Sequence, residues 1–212
     1  ANSKTVQLRI DEMVKNQKLS AHQGLYLKAL ALYEPEMLPE QLAAYKPEIV
    51  KSGFSIIGAV RLNWSRFSEE QQRILKPHAY RPAADTSVVS ASGRFRIHYD
   101  VSGFNTVDPA DTDLNGIPDY IDVVARVADS VYVIEVEELG LKAPLDDNNT
   151  DGPEWDIYIR NLPNVYGQTT PEKQVASNPD QYYGYIELDN NYQHTYTKGL
   201  HGMRVTLAHE FF

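Results

Sequence analysis

The chain has 212 residues, of which 42% are hydrophobic and 10% aromatic, as expected of a globular protein with a sizeable core. No apolar run approaches the roughly 18 residues of a membrane-spanning helix, so a membrane partner is not expected. Cysteine is absent, which excludes disulfides and thiolate metal sites, and any zinc site must therefore use histidine and carboxylate ligands.

The net charge of −9 is unevenly distributed. Residues 1–99 hold 14 basic and 9 acidic side chains, whereas residues 100–156 hold 2 basic and 15 acidic ones. The acidic segment repels phosphate and attracts cations, so a nucleic-acid partner is not expected. The basic first segment could dock on the acidic one, or the two could be separately solvated surfaces, and the sequence leaves both possibilities open.

The first part of the chain is predicted to be helical. Ser20 and Gln23 form a capping box before AHQGLYLKALALY, and Ser68 and Gln71 repeat that signature before EEQQRIL. Residues 76–93 are rich in Pro, Ala and Ser without a sustained period, which indicates a linker or an extended surface segment. We therefore divide the chain into residues 1–85, a helical region with its linker, and residues 86–212.

The second part combines strands with a long helix. Phe95-Arg-Ile-His-Tyr99 alternates apolar and polar residues, and residues 155–159 and 183–188 do the same, which predicts strands. Pro118 is placed to open a helix of about 21 residues that stops at Gly140. The terminal segment from Met203 could be strand or helix. This order predicts an α+β fold.

An acidic segment just before that helix has the spacing of a calcium loop. Oxygen-bearing residues alternate and a glycine, Gly116, stands at the sixth position, where a sharp turn is needed. Acidic residues also favour a helix N-terminus without any metal, so a simple acidic cap is the alternative. The candidate ligands are Asp111, Asp113, Asn115, Ile117 through its carbonyl oxygen, Asp119 and Asp122.

A weaker calcium candidate follows in the sequence DDNNTDG. Asp147, Asn149 and Asp151 alternate before Gly152, so their side chains could converge on a second ion. Asx side chains also form plain turns by bonding their own backbone.

The chain ends in VTLAHEFF. In a His-Glu-x-x-His helix the two histidines lie on one face and bind one zinc ion, and the glutamate is the general base. His209 and Glu210 fill the first two of these positions, and the second histidine would be residue 213. His194 and His201 stand upstream in a Tyr- and Gly-rich stretch, and we interpret them as surface-loop histidines. The alternative is an ordinary helix that contains His-Glu.

Four blocks occur in order across residues 86–212: SGRFRIHYD, DPADTDLNGIPDYID, WDIYIRN and VTLAHEFF. In this order they resemble secreted bacterial zinc metallopeptidases with an N-terminal pro-region, whose sequences run through an Asp-rich N-G-x-P-D-Y segment to HEF-x-H. The front helices resemble the pro-region more loosely. The sequence departs from the pattern at the second histidine, which it does not reach.

The resemblance implies a helical pro-region followed by an incomplete zincin-like upper subdomain, with a mixed sheet, a backing helix and a terminal active-site helix. It implies zinc as cofactor, with His209 as first ligand and Glu210 as catalytic base. It implies a peptide or protein substrate that pairs with an edge strand, for which residues 183–188 are our candidate, through Tyr183, Tyr185 and Ile186. It also implies secretion, with the signal peptide already removed.

Because one imidazole cannot hold a catalytic zinc ion, we expect the 212-residue chain itself to be an inactive, truncated proform. Two other classes of function stay open. The chain could be a non-catalytic extracellular module that calcium stabilises, or a glycan hydrolase with paired carboxylates, although no recognisable pair is present.

Overall fold

The structure is a computed structural model that describes residues 4–145 and 149–211. The described residues form seven α-helices and a six-stranded mixed sheet, which confirms the predicted α+β class. The helices are α1 (Val6–Lys15), α2 (Ala21–Tyr33), α3 (Glu40–Ala43), α4 (Phe54–Leu62), α5 (Glu69–Ala79), α6 (Asp119–Tyr132) and α7 (Gly199–Phe211). The strands are β1 (Val50–Ser52), β2 (Thr86–Val89), β3 (Phe95–Tyr99), β4 (Trp155–Arg160), β5 (Val165–Val175) and β6 (Asn178–Asp189).

Both predicted capping boxes are present. At the start of α2 the Ser20 hydroxyl accepts from the backbone N–H of Gln23 at 3.1 Å, and the Gln23 side chain accepts from Ser20 N at 2.9 Å. Ser68 and Gln71 make the same two bonds before α5. Each box satisfies backbone donors that a helix N-terminus leaves without partners, which is why these two helices begin where the sequence predicts.

The strand order in the sheet is β1-β5-β6-β4-β3-β2. β5 and β6 form an antiparallel hairpin, β6, β4 and β3 are parallel to one another, and β1 pairs parallel with β5. The edge strand β1 comes from the part predicted as pro-region. The other edge strand is β2, which lies within residues 76–93, the segment predicted as a linker or an extended surface segment. The first four residues of that segment, 76–79, belong to α5.

The placement of residues 183–188 as an edge strand is wrong. They belong to β6, which pairs with β5 on one side and β4 on the other. The reason is β5, a strand that the sequence pattern did not reveal, which folds back as a hairpin and covers this edge. Tyr185 and Ile186 are consequently fully buried.

The two faces of the sheet differ in polarity because side chains alternate along a strand. In β4, Ile157 and Ile159 point to an apolar face, where α6 and α7 pack through residues such as Val124 and Leu207. Among the described residues, no helix is long and apolar enough to span a bilayer.

The opposite face of the sheet is polar and lies under the N-terminal helices. Arg160 of β4 donates to Glu187 at 2.8 Å, and Thr170 donates to the other oxygen of that carboxylate at 3.0 Å. Gln168 donates to Glu187 and accepts from the hydroxyl of Tyr33 on α2. This buried network joins the first 85 residues to the sheet, because a buried charge requires its partners.

Candidate active site on the terminal helix

The terminal segment is the helix α7, not a strand. Its buried residues Met203, Thr206, Leu207 and Glu210 recur at helical spacing and face the sheet, while His209 is exposed. A Cβ at Gly167 of β5 would lie 2.6 Å from Cγ2 of Thr206. Glycine at this position therefore allows α7 to lie close against β5.

The Glu210 carboxylate lies where three elements meet. The hydroxyl of Ser52, at the end of β1, donates to Oε2 at 3.1 Å. The hydroxyl of Thr169 in β5 donates to the backbone oxygen of Glu210 at 2.5 Å and lies 3.3 Å from Oε2. Burial raises the pKa of Glu210, and the bonds from Ser52 and Thr169 reduce that rise only in part. Within residues 4–145 and 149–211, Oε1 is buried and has no hydrogen-bond partner.

A cleft of about 1140 Å³ opens in front of this carboxylate. Its walls are one face of α4, residues 142–145, the β5–β6 hairpin and the end of α7. Its lining is mainly apolar and includes Phe54, Leu62, Leu145, Trp155, Pro171, Tyr182, Tyr183 and Phe211, together with His209 and Glu210. Of the three predicted substrate-binding residues, Tyr183 lines the cleft. Tyr185 and Ile186 are buried within the sheet and do not line the cleft.

The strand edge beside the cleft belongs to β5. β1 pairs with β5 only as far as Gly167, whose carbonyl accepts from Gly53 N at 3.0 Å. Beyond that point Thr169 and Pro171 line the cleft. Since alternate residues of a strand direct their main-chain groups to the same side, these two residues present theirs where β1 has ended.

His209 is the only predicted zinc ligand in this cleft. His194 and His201, which the sequence led us to interpret as surface-loop histidines, lie elsewhere: Nδ1 of His194 is 3.9 Å from Oδ2 of Asp189, and His201 is exposed on the first turn of α7. The described part of the chain contains one cluster of three metal-ligating side chains, His98, Asp151 and Asp156, and His209 does not belong to it. Within the cleft, the described residues thus supply one zinc ligand, His209, which cannot by itself form a zinc site.

The His98 cluster was not predicted from the sequence. His98 Nε2 lies 2.7 Å from Oδ1 of Asp156, which is fully buried, and the other oxygen of Asp156 accepts from Arg81. Arg81 belongs to the basic first segment and Asp156 to the acidic block, so the two segments dock here. The only signal in the sequence is that His98 and Asp156 occupy polar positions of two predicted strands, which by itself does not show that they lie together.

The predicted calcium loop gathers four of its six residues. The Asp111 carboxylate accepts from the backbone N–H groups of Asn115 and Gly116 at 3.1 and 2.9 Å. The Asn115 amide donates to Asp122 at 2.9 Å and to Asp113 at 3.3 Å. Gly116 has φ 85°, as a sharp turn requires. Hydrogen bonds within the loop therefore link the carboxylates of Asp111, Asp113 and Asp122 to Asn115, whose amide nitrogen, and not its oxygen, faces Asp113 and Asp122.

The remaining two loop residues have other contacts. Asp119 accepts from the backbone and the hydroxyl of Thr112 at 2.9 and 2.6 Å, and these bonds lower its pKa. The backbone N–H of Ile117 donates to Asn115 Oδ1 at 2.7 Å.

The weaker calcium candidate is described only in part. Asp147 lies outside the described residues. Asn149 and Asp151 both have positive φ, 57° and 59°, as Asx residues in turns tolerate. Oδ2 of Asp151 accepts from the Tyr158 hydroxyl at 2.7 Å and lies 3.6 Å from Arg81, so this carboxylate faces a cation of the protein itself.

Comparison of the chain with protein-family models, with curated proteins and with solved structures gives no match.

Proposed function

We propose that this chain is the N-terminal part of a secreted zinc-dependent endopeptidase in its proform. The observation that carries the proposal is the Glu210 carboxylate, buried at the back of a cleft with His209 beside it and a strand edge along one wall. Enzymes of this chemistry need a base, a metal ligand beside it and an edge on which an extended peptide can pair. Glu210, His209 and the edge of β5, which we propose for these three roles, border one cleft.

Glu210 is assigned the role of general base. A carboxylate whose pKa has been raised by burial accepts a proton more readily than an exposed one does, and Oε1 of Glu210 makes no hydrogen bond within the described residues. His209 is assigned as a zinc ligand. Since the described residues supply only one such ligand in the cleft, we assign no step of the reaction to a metal here and expect these 212 residues by themselves to be inactive.

The substrate is proposed to be a peptide that extends the sheet along β5. Thr169 and Pro171 of β5 are its expected main-chain neighbours. The strand that pairs with the peptide is thus β5 and not β6, from which the predicted residues 183–188 come. The apolar lining contributed by Phe54, Leu62 and Phe211 favours large apolar side chains next to the bond that is cut.

Residues 1–85 are proposed to act as a pro-region. Their strand β1 occupies the neighbouring part of the β5 edge, and Ser52 donates to the carboxylate that must accept a proton. A base already engaged by an internal donor is a weaker base, so these contacts oppose catalysis as long as the segment remains in place.

Two experiments test the proposal. In the parent gene, histidine is expected at position 213, and any other residue there overturns the peptidase assignment. In the parent protein loaded with zinc, Glu210→Gln is expected to reduce casein hydrolysis by at least a hundredfold. Glu137→Gln is the matched control, because Glu137 is an exposed carboxylate on the same chain that pairs with Arg94. Equal activity of both variants would contradict the role of Glu210.

A second candidate function, a calcium-stabilised extracellular module without catalysis, is favoured by the gathering of Asp111, Asp113, Asn115 and Asp122 in one loop. A calcium titration and the Glu210→Gln variant distinguish the two functions. The module requires a calcium effect on stability and no loss from Glu210→Gln, whereas the peptidase requires that loss.

A further inference from the structure

Arg81 lies in the extended segment between α5 and β2, and its guanidinium enters a pocket of the second part of the chain. Nε donates to Oε1 of Glu172 at 3.0 Å, and Nη2 donates to Oε2 of the same carboxylate. Nη1 donates to Asp156 and lies 3.6 Å from Asp151. The side chain of Arg81 is 11% exposed. Three carboxylates from a turn and two strands therefore surround one guanidinium.

Two aromatic rings complete the pocket. The guanidinium carbon lies 5.2 Å from the centre of the Tyr185 ring and 5.9 Å from that of Tyr158, within the range of a cation–π contact. A bidentate carboxylate together with ring faces fits the planar guanidinium, whereas the compact ammonium of lysine cannot bond in this fork geometry.

The part of the pocket formed by Tyr158, Asp151 and Asp156 is held in place by contacts that do not involve Arg81. The Tyr158 ring stacks on His98 with centroids 4.3 Å apart, and its hydroxyl donates to Asp151 at 2.7 Å. His98 also holds Asp156 at 2.7 Å. Preorganised walls retain their geometry when the occupant leaves, which is what a binding site requires.

We propose that Asp156, Glu172, Tyr158 and Tyr185 form an arginine-recognition subsite that Arg81 fills within the chain and that accepts an arginine side chain of a peptide when Arg81 is withdrawn. The inference rests on the proposed function in one respect, since release of residues 1–85 is the event that withdraws Arg81. Glu172 also lines the cleft beside Glu210, so the vacated subsite would adjoin the peptide-binding edge of β5. Substrates that carry an arginine able to reach this subsite, in addition to apolar side chains in the cleft, are then preferred.

The test uses the complete chain with Arg81→Ala, which empties the subsite without removing any wall. Ethylguanidine is titrated and the melting temperature is measured. A ligand that binds only the folded state raises the melting temperature, and at ten times its dissociation constant we expect a rise of about 3–5 °C. Neither the wild type, whose subsite is filled, nor the variant in ethylurea, a neutral isostere, is expected to respond.

Two further variants sharpen the test. Arg81→Ala combined with Glu172→Gln is expected to lose the response to ethylguanidine, because the bidentate acceptor is gone. Arg94→Ala is the matched control: Arg94 also pairs with a carboxylate and lies over a ring, but its side chain is 41% exposed, so no response is expected. If Arg81→Ala does not fold, Arg81→Gln, which retains part of the stem, is titrated in its place.

An equal response to ethylguanidine and ethylurea, an equal response of the wild type, or a response that survives Glu172→Gln overturns the proposal. A response to Mn²⁺ alone would overturn it as well, in favour of a metal site at His98, Asp151 and Asp156. The experiment measures binding and no hydrolysis, so its result is independent of the test on Glu210.

Discussion

The hydroxyl of Ser52 lies 3.1 Å from Oε2 of Glu210, although 158 positions separate the two residues in the chain. The contact connects the end of β1, the sheet edge contributed by the first 85 residues, to the candidate base on α7. The state of that base therefore depends on whether the first segment is in place.

The first prediction concerns this contact. Ser52→Ala is expected to lower the free energy of unfolding by about 1 kcal/mol, because a half-buried hydrogen bond to a carboxylate is lost. In a Glu210→Gln background the same substitution should cost less than half of that, which urea denaturation of the four proteins measures. An equal cost in both backgrounds would show that Ser52 acts through other neighbours.

The second prediction concerns pH and Glu34 at the end of α2. Its carboxylate lies 2.7 Å from Nε2 of His78, and this hydrogen bond lowers its pKa below 4.5. A lowered folded-state pKa contributes stability that is present above the unfolded value and lost as the pH falls through the folded one. Glu34→Gln should therefore cost about 1 kcal/mol at neutral pH and progressively less below pH 4.5.

Chemical denaturation at several pH values on both sides of 4.5 checks this prediction. Glu40→Gln, which changes an exposed carboxyl on α3, is the control and should show little dependence on pH. A cost of Glu34→Gln that grows with acidity would contradict the sign.

The third prediction concerns the loop of Asp111, Asp113, Asn115 and Asp122. If it binds calcium, saturating calcium should raise the melting temperature by about 5 °C relative to a chelator, because the ion binds only the folded loop. Asp111→Asn should abolish this rise. Asp108→Asn, in the same acidic segment, should leave it unchanged. An identical melting temperature with calcium and with chelator would refute the calcium site.

The fourth prediction compares two glycines. A Cβ at Gly167 would lie 2.6 Å from the Thr206 side chain and 2.8 Å from the Glu187 carbonyl, so Gly167→Ala should cost about 2 kcal/mol by separating α7 from β5. A Cβ at Gly58, inside α4, meets no atom of the described residues within 4 Å. Gly58→Ala should therefore stabilise the protein by about 0.8 kcal/mol through helix propensity. Thermal unfolding measures both, and effects of the same sign would contradict this account.

The elements predicted from the sequence are those that local chemistry determines. Capping boxes mark the starts of α2 and α5, and alternation marks β3 and β4, because these signals act between residues a few positions apart. β5 has the sequence VYGQTTPEKQV, in which glycine, proline and charged residues interrupt any period. It is a strand because β6 and β1 pair with it, and such pairing is not visible in its own residues.

In the candidate site, too, some residues could be predicted from local sequence and others could not. His209 and Glu210 are recognisable from a motif within four residues, and the structure places both in the cleft. Ser52, Thr169 and Arg81 were not predicted, because each becomes a site residue only through the order of strands in the sheet. The burial of Asp156 was not predicted, because alternation along a strand shows which side a residue points to and not what covers that side.

The pairing of β1 with β5 has a consequence for how the chain folds during its synthesis. Val50 can pair with Val165 only after Val165 has left the ribosome. At ordinary rates of translation, the synthesis of the residues between them takes on the order of ten seconds. During that interval the polar side chains beneath the N-terminal helices have no sheet to meet. The first 85 residues therefore gain their contacts with the sheet only after β5 has been synthesised.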